Sequence, residues 1–234
     1  MSTLSPKKLE IQKRNQRILD IAREMILADG YHGLNMDRIA EDLEISKGTI
    51  YNHFSCKEEI IIALLEETSE KRRQMFQKAA MFQGCSRFRI MAIGQADFKF
   101  FQDFSNHSQF ERMIQIPSIW EKTSEKRRST VQMCEASCMM IVGGIVRDGL
   151  ASGDLELDEG TTAEEVVFGL WSMHHGAQAI ISSSDHLEQI GIKSPVNSIV
   201  MHSTKLLDGF NWKPLSSEYD ERKVIQRIHD EVLQ

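Results

Sequence analysis

The chain has 234 residues, 41% hydrophobic and 26% charged, and its 28 Lys and Arg stand against 34 Asp and Glu for a net charge of −6. That length allows one or two domains with a sizeable core, and the acidic balance argues against a nucleic-acid binder in bulk, so the placement of the basic residues decides. Four cysteines without regular pairing fit a reduced cytosolic setting, and with neither an N-terminal apolar h-region nor a long uncharged apolar run a soluble cytoplasmic protein with no membrane partner is expected.

Aromatics make up 7% of the chain, strand-like alternation is scarce, and helical spacing dominates, which predicts an all-α fold. Residues 1–6 read as a short polar tail. The first helix is expected over 7–29, with Ile18, Ile21, Ala22, Met25 and Ile26 as its inner stripe and Gly30 as its stop. Lys7, Lys8, Lys13, Arg14 and Arg17 cluster near its start with only Glu10 among them. Asn35 suits an N-cap, and Met36, Ile39, Ala40 and Leu43 give the next short segment one apolar face. After Ile45 in the turn, Ser46 caps a second short helix on which Ile50 and Phe54 face inward. Lys47, Gly48, Thr49, Tyr51, Asn52 and His53 are left facing out. That set is rich in donors, small where a backbone must come close, and aromatic at one position, as a helix in a DNA major groove requires.

The run Ile45-Ser46-Lys47-Gly48-Thr49-Ile50-Tyr51-Asn52-His53-Phe54, with Ile39-Ala40 before it and Lys57-Glu58-Glu59 after it, resembles the helix-turn-helix of the TetR family of bacterial transcriptional regulators. The likeness extends back through Arg17-Ile18-Leu19-Asp20-Ile21-Ala22 and Gly30-Tyr31 and covers about the first quarter of the chain. It implies a three-helix DNA-binding bundle followed by a larger helical domain for ligand binding and dimerisation. It also implies DNA contacts from Lys13, Arg14, Arg17, Asn35, Ser46 and Lys57 beside the outward set, with Thr49, Tyr51 and His53 positioning the backbone and Lys47, Gly48 and Asn52 nearer base edges. Two positions depart from the family pattern. Glu44 stands where a glycine is common, which asks a non-glycine residue for a left-handed turn. Cys56 stands where a small capping residue is usual, and Ser55 with Glu58 offers a capping box one residue earlier.

The expected division is 1–56 for DNA binding, 57–83 as a linking helix, 84–210 for ligand binding and dimerisation, and 211–234 as an amphipathic C-terminal helix or tail. Helices are expected near 57–81, 88–104, 108–116, 118–151, 158–182 (with Thr162 and Glu165 as a capping box) and 194–208. The segments 162–182 and 194–208 are apolar on more than one face, which needs more than one partner surface, and they form the expected homodimer interface.

No phosphate loop, nucleophile elbow or zincin motif is present, so no enzyme and no cofactor is expected. Met and aromatic residues of the second domain suit an adaptable apolar cavity. Its candidate ligand contacts are Phe101, Phe104, His107, Arg112, Trp120, Met140, Trp171, His175 and Gln178. His107, His174 and His175 form a weak candidate for a metal site, though no spacing compels one. Cys134 and Cys138 suit either a soft metal or thiol sensor, or simply the core. The expected function is a ligand-responsive regulator, a repressor by resemblance. It would bind palindromic double-stranded DNA as a homodimer, with half-sites about 34–36 Å apart or a multiple, and be released by a small, largely apolar effector. The alternative is an architectural or co-regulatory DNA-binding protein without a small-molecule inducer.

Overall fold

The structure, a computed structural model, describes residues 5–184 and 186–233. Residues 1–4 of the expected tail, Asp185 in the loop after the helix expected at 158–182, and Gln234 lie outside the described residues. The described residues are all-α: α1 (Pro6–Gly33), α2 (Met36–Asp42), α3 (Lys47–His53), α4 (Lys57–Ala80), α5 (Ser86–Asp103), α6 (His107–Ile114), α7 (Pro117–Trp120), α8 (Glu125–Ser152), α9 (Ala163–Ser183), α10 (Pro195–Gly209) and α11 (Glu221–Val232). They fall into two units. The first holds the chain up to Ser69 together with Asn106–Gln132; the second holds Glu70–Ser105 and the chain from Met133 onward.

In the first unit the polar caps and the apolar stripes agree. Ile18, Leu19, Ala22, Met25 and Ile26 of α1 are buried, and at Gly30 (φ 65°, ψ −158°) the helix breaks before a last short turn to Gly33. Asn35 Oδ1 accepts from the amides of Asp37 and Arg38 to start α2. Glu44 adopts φ 55°, the left-handed turn that the sequence asked of it. Ile60, Ile61, Ile62, Leu64 and Leu65 of α4 are all essentially inaccessible, so its first turns are enclosed on every side. Part of that enclosure comes from further along the chain: Phe110, Ile114, Ile119 and Val131 join the same core.

This grouping differs from the division expected at 83/84. The residues that tie 106–132 into the first unit are acids at the start of α4. Glu59 accepts from the Ser124 amide and from Arg127 Nε at 2.9 Å, while Glu58 accepts from Lys122 Nζ at 3.1 Å. The same bonds explain why the long helix expected from Ser118 begins only at Glu125. The Ser124 amide is drawn onto Glu59, and the Thr123 hydroxyl donates back to the Trp120 carbonyl at 2.7 Å, which separates α7 from α8. Glu58 is engaged by Tyr31 and Lys122 instead of completing the capping box expected with Ser55.

The second unit packs the remainder of α4 and α8 with α5, α9, α10 and α11 around Phe76, Ile90, Ile145, Val146, Val166 and Ile228. Thr162 and Glu165 form the expected capping box at the start of α9. The C-terminal segment is ordered onto this unit. Val224, Ile228 and Val232 are the buried stripe of α11, which packs on α5. Trp212 is fully buried and donates its Nε1–H to Ser86 Oγ at 2.8 Å. Gly149 permits that bond, since a Cβ there would stand 2.9 Å from Ser86 Oγ and 3.1 Å from Trp212 Nε1. Arg87, 0% exposed, donates to the Trp212 carbonyl at 2.6 Å and to Asp208 at 2.7 Å. By length and composition α8 is apolar enough to cross a membrane, yet Glu135 and Arg147 interrupt its apolar stretch, and Cys138, Val142, Ile145 and Val146 turn one of its faces into the core of this unit.

Candidate nucleic-acid interface and cavity

The outward face of α3 is built from its core upward. Ile50 is fully buried and Phe54 nearly so, which fixes the helix on the first unit and leaves Lys47, Gly48, Tyr51 and Asn52 exposed. Lys47 Nζ lies 2.6 Å from Asp37 Oδ2, an exposed ion pair that any phosphate or base must compete with; this hydrogen bond outweighs partial desolvation and raises the Lys47 pKa. Ser46 and Thr49 bond each other at the exposed start of α3: the Thr49 amide donates to Ser46 Oγ at 3.1 Å and their hydroxyls meet at 2.8 Å. His53 Nδ1 is bonded to Asn15 Oδ1. Burial first, and the nearby Arg14 charge second, push the His53 pKa below its ordinary value, so the ring is neutral at pH 7 and does not add a cation to the face.

The other expected contacts divide in the same way. Lys13 and Arg17 are exposed on α1, while Arg14 is paired with Glu10 at 2.7 Å. Asn35 is exposed but its Oδ1 is committed to the α2 cap. Lys57 folds back: its Nζ sits 3.9 Å from the Tyr31 ring centroid and donates to the Tyr31 carbonyl at 3.4 Å. Tyr31 in turn donates its hydroxyl to Glu58 at 2.7 Å. Burial, then that hydrogen bond, raises the Tyr31 pKa to about 12. Burial alone would raise Glu58, but donation from Tyr31, its own backbone and Lys122 outweighs it and holds the carboxyl at about 2.

The second unit holds a half-open cavity of about 90 Å³ lined mainly by apolar side chains of α4, α5, α8, α9 and α10. Its polar members are Arg72, Gln95, Asp97, His174, Ser203 and Thr204. Asp97 accepts from Gln178 Nε2 at 2.7 Å and faces His174 Nδ1 at 3.4 Å, and His174 Nε2 lies 3.0 Å from Ser203 Oγ. Burial opposes ionisation of Asp97, yet the His174 bond, the Arg72 charge and the Gln178 bond win and hold its pKa below the ordinary carboxylate value. The Asp–His–Ser order does not make a nucleophile, because the Ser203 hydroxyl donates to the Ile199 carbonyl at 2.8 Å within α10.

Of the nine expected ligand contacts, Trp171 lines this cavity and Gln178 orders it from behind through Asp97. Met140 and Trp171 also border a shallower groove with Gly143, Arg147, Glu164 and Phe168. His107, Arg112 and Trp120 belong to the first unit, where buried His107 bonds Thr68 at 2.7 Å. Phe101 and Phe104 are half-buried on and just after α5 and do not line the cavity, nor does His175, whose ring lies tilted 5.7 Å from that of Trp171; the histidine in the wall is His174. His107 belongs to the first unit and His174 and His175 to the second, and no group of three or more metal-ligating side chains occurs among the described residues. Cys134 and Cys138 are buried; burial pushes the Cys138 thiol up to about 11, so at neutral pH it is a poor nucleophile and metal ligand. Arg72, Asp97 and Ser203 were missed. Asp97 had a readable signal, because it occupies the buried stripe Ile90, Ile93, Asp97, Phe100 of α5 where an apolar residue is the rule.

A chain that mounts a short solvent-facing helix on a buried three-helix platform and continues into a helical unit with its own cavity is a helix-turn-helix protein with an appended helical domain. Residues 18–64 match the model of bacterial regulatory proteins, tetR family. It is 36% identical over 69 residues to the HTH-type transcriptional regulator UidR of Escherichia coli (strain K12), covering 30% of this chain and 35% of UidR. It is 24% identical over 163 residues to the Fatty acid metabolism regulator protein of Bacillus subtilis (strain 168), covering 68% of this chain and 80% of the relative. The solved regulatory protein SCO4313 superimposes with a TM-score of 0.69 at 16% identity over 87% of this chain and 100% of that one, a likeness of fold. The chain spans about a third of the length of UidR.

Proposed function

We propose that the protein is a cytoplasmic, homodimeric transcriptional regulator that reads a palindromic operator with α3, acts as a repressor, and is released by a small, largely apolar effector held in the second unit. The observation that carries the reading is the exposed quartet Lys47, Gly48, Tyr51 and Asn52 above buried Ile50 and Phe54. This combines donors with a small residue and an aromatic ring on one rigid short helix. Lys13 and Arg17 supply phosphate contacts, and non-specific DNA binding is weak and strongly salt-dependent. Dimerisation is supported by Phe168, Trp171 and Ile180 on α9 and Met201 on α10, which are 62%, 41%, 54% and 52% exposed. The apolar cavity supports the effector. The effector acts through its differential affinity for two states of the protein, and α4, whose residues serve both units, is the element that carries the difference.

The test is fluorescence anisotropy with the DNA upstream of the protein's own gene, beside Tyr51→Ala. Tight binding that Tyr51→Ala abolishes is expected; binding no tighter than to random DNA, unchanged in the variant, speaks against α3 as a reader of that sequence. The small volume of the cavity favours one second reading, a DNA-binding architectural or co-regulatory protein without an inducer. That reading requires operator affinity to stay unchanged across every ligand that binds the cavity.

A further inference from the structure

The cavity of the second unit carries an unequal set of polar groups. Asp97 is engaged by Gln178 and His174, and Ser203 both donates to Ile199 and meets His174. Arg72 is different. Its guanidinium carbon lies 5.7 Å from the Phe76 ring centroid and 6.0 Å from that of Phe100, and its Nε is buried with no hydrogen-bond partner. A buried charged donor without an acceptor is costly, and a ligand that brings an acceptor removes the cost. The planar fork of arginine matches a carboxylate better than any neutral acceptor. A cationic ligand would meet an Asp97 whose Oδ2 already accepts from Gln178 and faces His174. Beside these polar groups the rest of the wall is apolar, including Ile90, Met139, Val142, Leu170 and Leu207. The volume of about 90 Å³ suits a short acyl or single-ring body.

We propose that the cavity binds a small monocarboxylate, its carboxylate on Arg72 and its short body against Met139, Val142 and Leu170. The inference deepens the effector reading above and rests on it. It also supplies the point of attachment, since Arg72 sits on α4, the same helix whose first turns bury Ile60–Leu65 in the first unit.

The experiment is calorimetric titration of the full chain with benzoate, isobutyrate, neutral benzamide and cationic benzylamine. Benzoate or isobutyrate binds at least about tenfold more tightly than benzamide, the margin of a charge-assisted hydrogen bond over a neutral one. That margin disappears in Arg72→Gln and is partly kept in Arg72→Lys. Equal binding of benzoate and benzamide, tighter binding of benzylamine, or no binding of either carboxylate overturns the proposal. Helical circular dichroism checks the variants, and should Arg72→Gln fail to fold, the order of the four probes on the natural chain decides alone. Adding the tighter carboxylate to the operator anisotropy assay separates the two readings. Binding in the cavity with no change in DNA affinity supports the site assigned to Arg72 and overturns the effector role.

Discussion

The two units treat buried charge in opposite ways. In the first, every acid at the start of α4 is matched: Glu58 by Tyr31 and Lys122, Glu59 by the Ser124 amide and Arg127, and Arg127 also reaches Glu66 at 2.7 Å. In the second, the matched cluster around Arg87 stands beside the cavity set in which Arg72 keeps an unpaired Nε. The contrast teaches a rule for reading the molecule. A fully satisfied network fixes a shape, here the platform under α3 and the seat of the C-terminal segment. An unsatisfied one leaves a donor for something that is not part of the chain.

The largest effect comes from breaking the most deeply buried matched group. Arg87→Met leaves the buried Trp212 carbonyl without its donor and takes from Asp208 its charged partner, leaving it only the Ser216 bonds. The expected loss is about 3 kcal/mol in the stability of the second unit, lowering its melting temperature by roughly 6–12 °C. Differential scanning calorimetry checks it, and the first unit's transition, if resolved, stays in place. Glu59→Gln in the other unit is next, at about 2 kcal/mol, since Arg127 and the Ser124 amide lose a charged acceptor while an amide oxygen of similar shape remains. Because those bonds separate α7 from α8, amide exchange near Ser124 quickens in the variant.

These same bonds mark the limit of what the sequence made legible. The caps at Asn35, Ser46 and Thr162, the left-handed Glu44 and the buried Ile50 and Phe54 were readable because each rests on neighbours a few residues away. The break between Trp120 and Glu125 was not. No Gly or Pro occurs in Glu121–Ser124, and only Glu59, 65 residues earlier, draws the Ser124 amide out of a helix. The choice between His174 and His175 was hidden for a similar reason. Adjacent helical residues point about 100° apart, and the packing of α5 and α10 decides which of them enters the wall.

A smaller effect follows from pH. Glu58 titrates near 2 in the folded chain against an ordinary value of 4.5. Its depressed value means that its stabilisation is present in full above the unfolded value and is lost as pH falls from there toward about 2. Urea midpoints measured from pH 7 to pH 3 therefore fall less steeply in Glu58→Gln than in the natural chain. Equal slopes would mean that Tyr31 and Lys122 do not hold the carboxylate.

The smallest effect sharpens the comparison most. Arg72→Met keeps the apolar stem beside Phe76 and Phe100 and removes a guanidinium whose Nε has no hydrogen-bond partner. The loss of its attraction to the two rings and to Asp97 is offset by relief of an uncompensated buried donor. The stability change is expected to stay within about 1 kcal/mol of zero, several times smaller than for Arg87→Met although both are arginines of the same unit. Thermal unfolding of the two variants side by side decides it. If Arg72→Met proved as damaging as Arg87→Met, Arg72 would be a structural arginine like Arg87. A near-neutral result leaves a charge the fold does not need, set in an apolar wall where a carboxylate can meet it.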